Sequence, residues 1–461
     1  MKTTLILTAF LCCFLTSQAQ FGPAQIISSE IVNAYRVFPI DIDGDDFIDV
    51  VAAKGEPYEL VWFQNLDGLG NFGPEQLITD VQAIYLAIEF VDIDNDEDLD
   101  IIFLVNNPRE IRWIENLDGE GNFGNENLII AFDFITDIDM LDFDNDGDLD
   151  ILAPTTDTFT GRFVWYENTD GEGNFGPEQL LLTNFADYFD PIPIDIDGDG
   201  DLDILTSLES YSPSKIVWYE NDGNSNLVEH TIYEFNFFAS DWTSILYMEL
   251  VDYNNDGLED IVINTQHDDV GQINYVLANL NGKGNFDNPE FIFNLYSPYY
   301  FADLDDDGDK DHYYWYSTTN TIAWRENDGS GLFLFERIAT TETDYPRDTK
   351  SADIDGDGLI DIVVPSLGNN TVAWYKNTGI LDVSESKIIS TQLYPNPTAG
   401  ILYFKTAEII ETATVHDVLG NDIYHFQKPD FIDISTIPAG VYFIDIKTDS
   451  GISNMHKIIK K

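Results

Sequence analysis

The chain has 461 residues, 44% of them apolar, which suits two or three cored units and argues against disorder. Its 84 Asp and Glu outnumber 21 Lys and Arg, giving a formal charge of −63; a field of that sign repels nucleic acid and anionic membranes and draws cations.

Residues 1–19 read as a secretory signal, with Lys2 as the charged end, an apolar stretch from Leu5 to Leu15, and Ser17-Gln18-Ala19 before the cut. The stretch is too short for a transmembrane helix, which takes roughly 20 residues. Leu11 ahead of Cys12 is too bulky for lipoprotein cleavage. No transmembrane segment is expected in the mature chain. Both cysteines, Cys12 and Cys13, leave with the signal, so disulfides cannot staple what remains.

From Asp41 a nine-residue acidic pattern recurs seven times, beginning at Asp41, Asp92, Asp142, Asp195, Asp252, Asp303 and Asp353, at intervals of 51, 50, 53, 57, 51 and 50. About twenty residues after each comes an aromatic, β-branched run: LVWFQN, IRWIEN, FVWYEN, IVWYEN, INYVLAN, IAWREN and VAWYKN. Such runs are strand grammar, and an Asp-Gly or Asn-Gly turn followed by a strand such as FGPEQLIT adds a hairpin. Four strands per repeat make one propeller blade. The sequence therefore predicts an all-β protein: a seven-bladed β-propeller over residues 20–380, a linker at 381–387, and a small C-terminal β-sandwich at 388–461.

The ends of the array complement each other. The seventh copy stops near Gly379 without its FGPEQ-type strand, whereas the mature N-terminus starts QFGPAQII, so the first strand is expected to complete the last blade. Pro23, Pro74 and Pro177 open the fourth strands, where a residue without an N–H suits an edge.

With each loop numbered 1 to 9, positions 1, 3, 5 and 9 are carboxylates in 27 of 28 cases. The candidate metal ligands are Asp41, Asp43, Asp45 and Asp49; Asp92, Asp94, Asp96 and Asp100; Asp142, Asp144, Asp146 and Asp150; Asp195, Asp197, Asp199 and Asp203; Asp252, Asn254, Asp256 and Asp260; Asp303, Asp305, Asp307 and Asp311; and Asp353, Asp355, Asp357 and Asp361. Alternating acids bring oxygens to one point when the chain curls, and calcium accepts such a many-oxygen shell with a carbonyl at position 7. Up to seven Ca2+ ions are expected. Asn254 predicts a weaker fifth loop, and Asp46 and Glu97, where the other loops carry Gly at position 6, predict altered geometry in the first two. In the sixth, Lys310 and His312 predict different packing beneath the loop.

The loops and the sevenfold repeat resemble the FG-GAP and VCBS repeats, the family that includes the calcium-binding propeller of integrin α chains. The resemblance implies calcium in the hairpins between first and second strands and transfers Asp41, Asp43, Asp45 and Asp49, with their counterparts, as ligands. It transfers no partner.

After residue 388 the charge nearly balances, 8 acids against 6 bases. The ordered set YPNP, DVLG, DIS with PAGVY, and a Lys-rich end is similar to the type A sorting domain of the type IX secretion system. That resemblance implies contact with the secretion machinery and a secreted or outer-surface location.

No catalytic set emerges. His230, His267 and His312 are scattered, and no GxSxG or phosphate-loop motif is present. Trp62, Trp113, Trp165, Trp218, Trp324 and Trp374 recur too regularly for a sugar platform and read as packing between blades. Longer connections around blades three to five carry aromatics, including Tyr188, Phe189, Phe237, Phe238 and Trp242, which are the candidate ligand contacts. The expectation is a binding or adhesion module for a glycan or surface protein; the alternative is a polysaccharide-processing enzyme or accessory subunit built on the same scaffold.

Overall fold

The computed structural model describes residues 20–80, 85–132, 135, 137–156, 161–185, 191–208, 214–223, 226–235, 243–267, 271–293, 300–379, 392–394, 396–405, 410–416, 422–429, 431–448 and 453–461. The signal read at 1–19 and the linker at 381–387 lie outside them. Two compact units divide the chain, Met1–Ile380 and Leu381–Lys461. Among the described residues no helix is long and apolar enough to cross a membrane.

The first unit is all β. Among its described residues, alternating and β-branched runs make seven four-stranded antiparallel sheets, six of which pair their strands in chain order. In the first, Ala34–Ile40, Asp49–Lys54, Leu60–Phe63 and Gln76–Thr79 pair in succession. The second and third strands are the buried ones: every residue of Asp49–Lys54 and Leu60–Phe63 is buried, as expected for strands covered on both faces.

Each sheet shares a core with the next. Val51 and Trp62 of the first pack with Ile101 and Phe103 of the second, and successive clusters continue through the third to the seventh. A last cluster joins Val363 and Trp374 of the seventh sheet to Val50 and Val61 of the first. The cores therefore close on themselves, which defines a β-propeller.

The seventh sheet takes its outer strand from the other end of the unit. Gln25–Ser28 pairs antiparallel with Thr371–Tyr375. The Gly22 amide donates to the Lys376 carbonyl and the Thr378 amide to the Gln20 carbonyl, both at 2.8 Å. The outer pair of all seven sheets carries a register shift, a bulge that blunts an otherwise open edge.

The second unit is a small sandwich. A three-stranded sheet holding Gln392–Tyr394, Ile401–Lys405 and Phe431–Asp433 and a four-stranded sheet built on Ile410–His416 and Gly440–Thr448 enclose one core, with Leu402 and Ile432 from the first and Ala413, Val415 and Ile444 from the second. Asn396 of the YPNP segment bonds the C-terminal strand twice, donating to the Lys457 carbonyl at 2.9 Å and accepting from the Ile459 amide at 3.0 Å.

Candidate metal centres

The acidic loops connect the first and second strands, and one hydrogen-bond scheme shapes all seven. The position 1 carboxylate accepts from the amides of positions 5 and 6: in the first loop Asp45 N and Asp46 N reach Asp41 at 3.2 and 2.9 Å. Position 5 accepts from the amide of position 7, as from Phe47 N to Asp45 at 2.9 Å. Positions 4 and 6 both adopt positive φ. Asp46 and Glu97, at 68° and 74°, therefore make the turn that glycine makes elsewhere and leave the expected distortion unseen.

The curl brings carboxylates together. One oxygen each from Asp41, Asp43 and Asp45 lies within 4.8 Å of the others, and so do those of Asp92, Asp94 and Asp96, of Asp142, Asp144 and Asp146, and of Asp195, Asp197 and Asp199. In the sixth loop the convergent three are Asp303, Asp305 and Asp311. Position 3 is the distinctive one. Asp43, Asp94, Asp144, Asn254, Asp305 and Asp355 each hold a buried Oδ1 without a hydrogen-bond partner. A buried oxygen left unpaired costs free energy, and the same unpaired oxygen in six loops, beside two further carboxylates, suits a cation.

Electrostatics agree. Burial, then repulsion from the position 5 acid, pushes Asp94 up to about 6 and Asp305 to about 7, and raises Asp43, Asp144 and Asp197 in the same sense.

Position 9 is built differently. Asp49, Asp100, Asp150, Asp203, Asp260, Asp311 and Asp361 lie inside the protein at no more than 1% exposure. Each accepts from the amide of the asparagine at, or two residues past, the end of the third strand, at 2.6 to 2.9 Å. Six also accept from the amide of position 2, as Asp361 does from Ile354 at 3.0 Å. The carboxylate thus ties the loop to the third strand, whatever further lone pair it offers. Burial pushes these groups to between about 6 and about 8.

Sequence reading missed that asparagine. Asn65, Asn116, Asn168, Asn221, Asn327 and Asn377 each donate from Nδ2 to the position 2 carbonyl of the preceding sheet's loop, at 2.8 to 3.5 Å. They staple sheet to sheet directly behind the acids. The signal was present, since Asn closes all seven of the aromatic, β-branched runs and strand propensity disfavours it.

The residue before the asparagine also faces the loop. Gln64 Nε2 donates to Asp43 at 2.5 Å, and Lys376 forms ion pairs with Asp355 and, at 2.8 Å, with Asp357. Glu115 shares a cavity of about 730 Å3 with Asp94, Asp96 and Trp113.

The tryptophans pack as read. All six are at most 7% exposed, and a Cβ placed on Gly121 of the next sheet's turn would come within 2.7 Å of Trp62. In the fifth sheet Val276 takes the Trp position, and Tyr253 from loop position 2 fills the space beneath Gly331 instead. Under the sixth loop His312 is fully buried and stacks on Tyr314 at 4.8 Å. His230 bonds Glu220 at 2.6 Å and stacks on Trp218. The candidate ligand aromatics Tyr188, Phe189, Phe237, Phe238 and Trp242 lie outside the described residues, while neighbouring Phe235 is core.

The comparisons bear on both units. Residues 41–103 and 303–364 match the FG-GAP-like repeat, and residues 392–461 match the secretion system C-terminal sorting domain. The chain thus contains FG-GAP-like repeats within a β-propeller, the fold its sheets define. It carries a type IX sorting domain and is secreted to the cell surface or beyond. No curated protein matches. Among solved structures, an Agrocybe aegerita lectin described as recognising non-reducing terminal N-acetylglucosamine is 18% identical, with 74% of this chain and 87% of that one covered and a TM-score of 0.48. BBS1N in complex with ARL6DN is 9% identical over 78% of this chain and 97% of that one, with a TM-score of 0.47.

Proposed function

We propose that residues 20–380 form a seven-bladed, calcium-stabilised propeller that serves outside the cell as a binding or adhesion module for a glycan or surface protein, after removal of residues 1–19 and export through residues 388–461. The observation that carries the calcium assignment is the repeated unpaired Oδ1 at position 3, set against the acids of positions 1 and 5. Positions 1, 3 and 5 would hold the ion, with the carbonyl of position 7 and, most directly in the sixth loop, the acid of position 9. Bound calcium supplies countercharge and a cross-link between first and second strands, the work that disulfides do in other secreted proteins.

Support for a binding role is the irregularity of the repeat. The connections that lengthen the 53- and 57-residue intervals are rich in aromatics, which suit sugar or protein contacts. A glycan array probed with calcium and with chelator tests it, beside incubation with extracellular polysaccharides. Retention without turnover supports the module; product formation replaces it with the enzyme reading. Replacing Phe237, Phe238 and Trp242 by Ala should abolish retention while leaving the melting curve in place; loss of fold alone would assign these residues to the core.

A further inference from the structure

One register position varies where its surroundings repeat. The residue before the stapling asparagine is Glu in four sheets, Gln64 in the first, Ala278 in the fifth and Lys376 in the seventh. We propose that this residue sets how strongly each loop demands an external cation, and that in the seventh loop the Lys376 ammonium stands in for calcium. The proposal rests on the calcium reading of the other loops and goes beyond it.

The geometry separates the cases. Glu115 adds a carboxylate to the space occupied by Asp94 and Asp96, which strengthens the pull on a divalent ion. Gln64 contributes a neutral donor to Asp43. Lys376 places a positive charge against both Asp355 and Asp357, at positions 3 and 5. Among the described residues no other loop carboxylate pairs with Lys or Arg. An incoming divalent ion would have to break both pairs and then lie beside a tethered like charge, which repels it.

The placement has a structural logic. The seventh sheet is the one completed by the chain's first strand, and the Lys376 carbonyl accepts the Gly22 amide at 2.8 Å. One residue thus holds the amino-terminal segment with its main chain and the acidic loop with its side chain. The joint between the two ends of the propeller is fastened without metal.

The test counts calcium per chain by equilibrium dialysis and elemental analysis on the full secreted protein. Lys376→Glu, which copies the four sister sheets, and Lys376→Gln, which copies the first, should each add one ion. Asp355→Asn in the otherwise unchanged protein should leave the count unaltered. If Asp355→Asn removes an ion, or if neither Lys376 variant adds one, the proposal is overturned. Absence of calcium from every variant would instead sink the calcium reading on which it rests. Hydrogen exchange in chelator gives a second readout: the Asp357 and Gly358 amides, both bonded to Asp353, should exchange at least tenfold more slowly than Asp146 and Gly147, bonded alike to Asp142. Equal rates refute it.

Discussion

Asn65 in the first sheet donates from Nδ2 to the carbonyl of Ile354 in the seventh loop, at 2.9 Å, across the place where the two ends of the array meet. The same side chain donates to Ile48 O and accepts from Gly70 N, so it satisfies three main-chain groups in a buried setting.

Truncating it should therefore cost more than one ordinary hydrogen bond. Asn65→Ala is expected to destabilise the first unit by about 2–3 kcal/mol, because buried carbonyls lose their donor. A denaturant titration monitored by Trp fluorescence checks this; a loss below about 0.5 kcal/mol would show that the staple is dispensable.

Calcium removal should make stability depend on pH in a particular direction. The position 9 aspartates have folded-state values raised from 3.8 to between about 6 and about 8. A raised value means that the folded state holds more protons than the unfolded one between those limits, so stability is present at low pH and is lost as pH rises through the folded values. In excess chelator the melting temperature should fall between pH 5 and pH 8. In saturating calcium it should hold or rise over the same range, since deprotonated loops bind the ion best. A flat profile in chelator would count against burial of uncompensated acids.

His312 works in the opposite sense. Its burial holds the imidazole well below 6.5, with the Arg325 charge adding to the effect. The unfolded chain then takes up the proton first, so stability is whole above 6.5 and declines as pH falls below it. Other sheets place Val or Ile at this register. In calcium-loaded protein, His312→Val should reduce the loss of stability between pH 7 and pH 5. An unchanged acid limb would assign the loss to other groups.

Glu97 occupies a left-handed turn position that five sister loops give to glycine. Glu97→Gly should stabilise the protein by about 1 kcal/mol by relieving the steric cost of a Cβ there. Thermal melts of calcium-loaded samples read this directly, and a destabilised variant would mean that the Glu97 side chain makes a compensating interaction.

Much of this was legible because repetition amplifies weak signals. One Asp-rich turn is unremarkable, but acids at the same four positions in seven copies fix the loop, and FGPAQ standing alone before the first repeat announced its partner after the last. The asparagine staple escaped notice because its partners lie 73 to 289 residues away, and alternation of apolar and polar residues carries no mark of them. Nothing in the sequence marks Lys376; only the fold brings it against Asp355 and Asp357. The exchange of Val276 for Trp with Tyr253 as filler is likewise a packing event between sheets, invisible to a reading confined to one repeat. Position 9 was legible as an acid, but its bonds to two main-chain amides were not.

The pairing of Gln25–Ser28 with Thr371–Tyr375 also governs how the molecule is made. Once made, Gln25–Ser28 must wait for that partner until some 340 residues more have followed. Contacts of such long range are slow to form, and a chain cut short anywhere before Tyr375 leaves that segment without its mate. Completion of the circle is therefore a checkpoint on length, one that only an intact array can pass.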